Sequence, residues 1–123
     1  MKTLSILVAD DNVDGQAILG RFLRRGGHQP VFVSNGRDCV DKALSEEFDL
    51  LLLDMNMPIL NGWEAAEKIR VRKSYAELPI IAFTAHAMQG DREKCLDAGC
   101  TDYLTKPIDF GALSAILKNI AGE

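Results

Sequence analysis

The chain has 123 residues, 47 % hydrophobic and 26 % charged, with a formal net charge of −4 and a pI near 5.1. That is enough material for one core, so residues 1–123 read as a single domain. An acidic balance with no basic run longer than Arg24-Arg25 argues against direct binding of nucleic acid or an anionic membrane. The first apolar segment, Leu4 to Ala9, is too short for a spanning helix or a signal-peptide core, which predicts a cytoplasmic domain without membrane contact.

In chain order, strands are predicted near residues 4–9, 30–33, 49–54, 79–83 and 102–105, with helices in the gaps. The first strand ends in Asp10-Asp11-Asn12. The helix after it, from Asp14 to Arg25, pairs Ile18 with Phe22 and Leu19 with Leu23, carries Arg24 and Arg25 in its last turn, and stops at Gly26-Gly27. Asp11, Asn12 and Asp14 are candidates for its cap, and Asp14 is the one assigned. Residues Arg37 to Glu46 form the second helix. The third strand, Asp49 to Asp54, contains four consecutive leucines, the pattern of a strand buried on both faces of a parallel sheet. Pro58 prevents its extension. Helices follow over Gly62 to Arg72 and Met88 to Ala98, the second closed by Gly99. The last helix sets Phe110, Leu113, Leu117 and Ile120 on one face. Cys39, Cys95 and Cys100 are odd in number and lack metal-ligand spacing, which predicts reduced, half-buried thiols.

Five strand–helix units predict an α/β fold of the flavodoxin-like, doubly wound (βα)5 type, with a parallel five-stranded sheet ordered 2-1-3-4-5. Right-handed crossovers bring every strand's carboxyl end to one edge of such a sheet. Asp10, Asp11 and Asp54 then meet at the crevice between the first and third strands. Asp54 alone can be read as an acceptor for the turn that follows it. Three carboxylates together call for a hard cation held by oxygen, with Mg²⁺ the best match. Thr84 and Lys106 close the neighbouring strands, and Ala85 leaves space beside them. This set suits an aspartate that accepts a phosphoryl group while a cation and an ammonium neutralise the phosphate charge.

Asp10-Asp11, Asp54 with Met57-Pro58, Thr84-Ala85, and Tyr103 with Lys106-Pro107 together resemble the receiver domain of two-component response regulators, of the chemotaxis-regulator-like kind. The resemblance runs over essentially the whole chain. It implies phosphorylation of Asp54 by transfer from a histidine kinase or histidine phosphotransfer protein, with Mg²⁺ held by Asp11, Asp54 and the backbone carbonyl of Asn56. Asp10 would hold metal-bound water. Thr84, Ala85 and Lys106 would bind the phosphoryl group, while Thr84 and Tyr103 switch position and alter the surface of the fourth helix, fifth strand and fifth helix for an output protein or an attached kinase. Asn56 and His86 would tune the lifetime of the aspartyl phosphate, and Gly15, Ile18 and Gly20 would face the phosphodonor's helices.

The run Thr84-Ala85-His86-Ala87-Met88 resembles receivers of hybrid histidine kinases and phosphorelays. The resemblance implies a signalling domain that assists its own phosphorylation and dephosphorylation, not an enzyme of sustained turnover. Two alternatives remain at this point. A haloacid-dehalogenase-type phosphohydrolase would need an acid where Asn56 stands, and an unmodified flavodoxin-like binding module would take no phosphoryl group.

Overall fold

The computed structural model describes residues 3–84 and 90–122. Five strands, β1 (Ser5–Ala9), β2 (Gln29–Val33), β3 (Leu50–Asp54), β4 (Ile80–Thr84) and β5 (Asp102–Thr105), alternate among the described residues with five helices. These are α1 (Val13–Arg25), α2 (Gly36–Ser45), α3 (Gly62–Arg72), α4 (Asp91–Asp97) and α5 (Phe110–Ile120). All strand pairs are parallel, in the order β2-β1-β3-β4-β5. This is the flavodoxin-like order anticipated above.

The leucine run explains why both faces of the sheet need helices. Successive side chains of a strand point to opposite faces. Leu51 and Leu53 accordingly join Leu7, Ala9, Ile80 and Ala82 in one apolar cluster, covered by α2, α3 and α4. Leu50 and Leu52 join Ile6, Val8, Ile81 and Phe83 in the other, covered by α1 and α5. Each fully buried leucine contributes about 1.5–3 kcal/mol. The central strands are thereby held firmly, and the chain ends of β1, β3 and β4 are fixed relative to one another.

Helix starts follow one device. Asn12, Asn35, Asn61 and Asp109 accept backbone N–H bonds at the first turns of α1, α2, α3 and α5. The cap of α1 is thus Asn12 and not Asp14, which lies one residue inside the helix, where its charge faces the positive helix end. α4 differs: Gly90 at its start supplies no side-chain bond. Of the helix predicted from Met88 to Ala98, Met88 and Gln89 lie outside the described residues.

Two other expectations are corrected. Cys39, Cys95 and Cys100 are fully buried, not half-buried. Burial pushes the thiols of Cys39 and Cys100 up to about 12, so both stay protonated. Gly20 is also buried; a Cβ there would stand 2.9 Å from the Phe32 ring, so it serves α1–β2 packing and not an outer surface.

Strain is localised beside the carboxyl edge. Ile59, in the loop between β3 and α3, has φ 71° and is 76 % exposed. A β-branched residue is disfavoured in this left-handed region, where asparagine is tolerated. Ile59→Asn is expected to stabilise the domain by about 1 kcal/mol. A rise in urea midpoint at unchanged slope checks this; a loss of stability would contradict it.

Candidate functional site

The carboxyl edge of the sheet brings acids from two strands together. Asp54 is the last residue of β3 and Asp10 follows β1, and each is only 2 % exposed. Asp11 is exposed at the rim. One carboxylate oxygen from each of the three lies within 4.8 Å of the others, the only such cluster of acidic, histidine or cysteine groups among the described residues.

Every buried acid has specific partners. Asp54 Oδ1 accepts the Asn56 N–H at 2.9 Å, so the turn-acceptor reading holds alongside any functional one. Its Oδ2 pairs with Lys106 Nζ at 2.9 Å. Asp10 Oδ1 accepts the Asn12 N–H at 2.9 Å. Gln16 Nε2 donates to the Asp10 backbone oxygen and to Ser34 Oγ, tying this loop to the end of β2. Burial holds the Asp10 carboxyl above the usual carboxylate range. The bond from Asn12 and the charge of Lys106 oppose that rise, while Asp54 and Asp11 add to it.

The lysine reaches Asp54 because β5 runs beside β4. Lys106 N–H donates to the Thr84 carbonyl at 2.8 Å, and the Lys106-Pro107 bond is cis. Thr84, also buried, closes β4, and its hydroxyl accepts from Asn56 Nδ2 at 3.3 Å. Asp54, Asn56, Thr84 and Lys106 therefore form one connected group. Tyr103 is half-buried in β5 and packed against the cluster on the α2, α3 and α4 side. Ala85 and His86 lie outside the described residues.

Two glycines shape the site in ways the sequence did not indicate: Gly15, expected only at the phosphodonor's face of the first helix, and Gly62, expected only at the start of the third. A Cβ at Gly15 would stand 2.7 Å from Asp10 Oδ2, so only glycine leaves that carboxylate its position. A Cβ at Gly62 would stand 2.6 Å from Met55 Cα and 2.8 Å from the Asp54 carbonyl oxygen. That close approach seats α3 directly on the strand end that carries Asp54, with Gly62 N–H donating to Met55 O at 3.1 Å. No local sequence signal marks either role, since each depends on a neighbour from another element.

A parallel, doubly wound sheet with buried acids and a lysine at its switch point defines a class of α/β domain whose chemistry occurs at the strand carboxyl ends. Residues 6–118 match the family described as response regulator receiver domain. The chain belongs to that family, whose members are signalling domains of two-component and phosphorelay systems.

Its relatives include hybrid signal transduction histidine kinase I of Dictyostelium discoideum, 40 % identical over 111 residues. The match covers 85 % of this chain and 6 % of the kinase. The histidine-protein kinase BarA of Escherichia coli K12 is 36 % identical over 114 residues, covering 93 % of this chain and 12 % of BarA. The chain thus spans a small fraction of these kinases. Among solved structures, the receiver domain of sensor histidine kinase PA1611 from Pseudomonas aeruginosa, described with magnesium in its active-site cleft, superposes with TM-score 0.88 at 38 % identity. That match covers 99 % of this chain and 100 % of the other. The receiver of Saccharomyces cerevisiae Ssk1, solved with the phosphotransfer protein Ypd1, gives TM-score 0.87 at 36 % identity, covering 97 % and 89 %.

The raised Asp10 carboxyl has a direct consequence for stability. Below pH 3.8 the group is protonated in both the folded and unfolded states. As pH rises, the unfolded chain loses its proton first, and stability falls until the folded group has ionised as well. Ionised Asp10 therefore destabilises the metal-free fold at neutral pH. Asp10→Asn should raise stability in chelator-containing buffer at pH 7 by about 1 kcal/mol, read from denaturant midpoints. An unchanged or lower midpoint would show that the acid cluster carries no such strain.

Proposed function

We propose that Asp54 is the phosphoacceptor of this receiver domain and that residues 1–123 act as one cytoplasmic switch unit in a phosphorelay. The reading rests above all on the shared pocket of Asp10, Asp11, Asp54 and Lys106 at the ends of three strands. Three clustered oxygen ligands, two of them from carboxylates almost fully withdrawn from water, fit a hard divalent cation. Asp11, Asp54 and the Asn56 carbonyl would hold Mg²⁺, with Asp10 reaching it through water. When bound, the cation neutralises charge on the acids and on the incoming phosphate, lowering the barrier to their approach.

The chain's own groups do the remainder. An Asp54 carboxylate oxygen attacks phosphorus as the donor's phosphorus–nitrogen bond breaks, and the departing imidazole takes up a proton. Asn56 N–H and Lys106 fix the orientation of the Asp54 carboxylate before attack. Lys106, with a flexible stem and a 31 % exposed side chain, can follow the negative charge onto the phosphoryl oxygens. Ala85 would leave room for that group. The Thr84 hydroxyl would exchange its bond from Asn56 for one to the phosphoryl group, and Tyr103 would turn inward with it. The surface of α4, β5 and α5 would then change for an output protein or an attached kinase. Asn56 and His86 would set how readily water removes the phosphate. These roles describe assisted phosphorylation and self-dephosphorylation, not sustained turnover.

The donor's approach is also supported. A cleft of about 270 Å³ opens beside Asp10 and Lys106, lined mainly by apolar atoms of Ile18, Phe83, Ile108 and Phe110. Val13 and Ile18 on α1 are 75 % and 57 % exposed. An apolar rim around a buried acid suits a phosphohistidine carried on a protein helix, from a histidine kinase or a phosphotransfer protein. The hydrolase alternative lacks its second acid, because position 56 is an amide already bonded to Thr84.

Incubation with Mg²⁺ and acetyl phosphate should add one phosphoryl group by intact mass, and chelator or Asp54→Asn should abolish the addition. Lys106→Met should slow it by about 10²-fold. Sustained phosphomonoester hydrolysis, or labelling that persists in Asp54→Asn, would contradict the assignment.

A further inference from the structure

The start of α1 turns back over the end of β1, and the side-chain amide of Gln16 bonds there to the Asp10 backbone oxygen and to Ser34. We propose, on the metal reading given above, that Gln16 is a positioning residue for the cation site. By tying the Asp10–Asp11 peptide to Ser34 at the end of β2, it presets the Asp11 carboxylate for Mg²⁺.

Asp11 is the least restrained member of the acid cluster. It is exposed, and its carboxylate forms no hydrogen bond or ion pair among the described residues. Asp10 and Asp54 each accept a backbone N–H, and Asp54 also pairs with Lys106. The place of the Asp11 oxygen within 4.8 Å of the other two is therefore set by its backbone. Two peptide groups flank that backbone. On one side the Asn12 N–H donates to Asp10 Oδ1 at 2.9 Å. On the other the Asp10 carbonyl accepts from Gln16 Nε2, and no backbone N–H donates to it among the described residues.

The reach of Gln16 follows from its place in the helix. Its own N–H bonds the Asn12 carbonyl at 3.0 Å, and helical side chains lean toward the helix N-terminus, which here faces the strand end. A carbonyl oxygen only accepts, so the amide nitrogen is the atom turned toward Asp10. The same nitrogen reaches Ser34 Oγ at 3.2 Å. Asp10 N–H donates to the Val33 carbonyl at 3.1 Å, so the loop carrying both acids is joined to the end of β2 at two adjacent residues. Gln16 is neutral, and its loss would change the placement of a ligand without removing charge from the site. Groups that orient metal ligands without touching the metal typically alter affinity by about tenfold or more when removed.

Calorimetric titration of Mg²⁺ into the folded domain tests the proposal. Gln16→Met keeps the length and helix propensity of the side chain but removes both amide donors. It should weaken Mg²⁺ by about tenfold. Ser34→Ala, which leaves Gln16 in place and alters only an exposed hydroxyl, should weaken it by about threefold. The loss in Gln16→Met should vanish in an Asp11→Asn background, because Gln16 acts through that carboxylate; a general loosening of the fold would persist there. Wild-type affinity in either single variant, or an equal loss with and without the Asp11 carboxylate, would overturn the proposal while leaving the cation site standing. Absence of Mg²⁺ binding by the wild type would overturn the metal reading itself, and the role of Gln16 with it.

Discussion

Two carboxylates, each almost fully withdrawn from water, stand at the ends of adjacent parallel strands, and the fold has to counter both their desolvation and their mutual repulsion. Lys106 counters part of it. Its ammonium lies 2.9 Å from Asp54, delivered by a strand end two positions away in the sheet. Backbone N–H groups of Asn12 and Asn56 counter another part, one for each acid. The compensation is incomplete, since the Asp10 carboxyl remains above its usual range. A site left short of positive charge is a receptor for it, which is the physical basis for the proposed cation and for delivery of a phosphoryl group.

Everything that makes the cluster possible is packing. β3 contributes leucines to both apolar clusters, so Asp54 cannot shift without disturbing helices on either side of the sheet. Gly62 presses α3 against the strand end, and Gly15 clears space for the Asp10 carboxylate. Rigid mounting on the central strands fits the proposed switch, in which adjustment would fall to the side chains of Lys106, Thr84 and, on the edge strand β5, Tyr103. This division suits a switch, in which a small charge change at a fixed point is relayed through a few mobile side chains.

Much of this was legible in the chain itself, for identifiable reasons. Apolar runs ending in acids reveal strands buried on both faces, and βα alternation fixes which ends share an edge, so the meeting of Asp10, Asp11, Asp54, Thr84 and Lys106 followed from topology. Apart from the start of α4, expected at Met88 and found at Asp91, element boundaries followed to within one or two residues, because glycine and proline mark them. What escaped depends on contacts between distant elements. Asn12 competes with Asp14 as a cap, and only backbone geometry decides between them. Arg70 was silent in sequence, yet its guanidinium donates to the carbonyls of Leu78 and Gly99, both at 2.7 Å, and anchors the turn that leads into β5. The left-handed backbone of Ile59 was equally invisible, since isoleucine does not advertise that state.

The central claim is that acids from two strands form one cation-binding pocket. Calorimetric titration of Mg²⁺ into the wild-type domain, Asp11→Asn and Asp54→Asn tests it most directly. The account predicts a single site in the wild type, weakened by about tenfold or more in each variant. Affinity unchanged by either substitution, or no binding to the wild type, would contradict it.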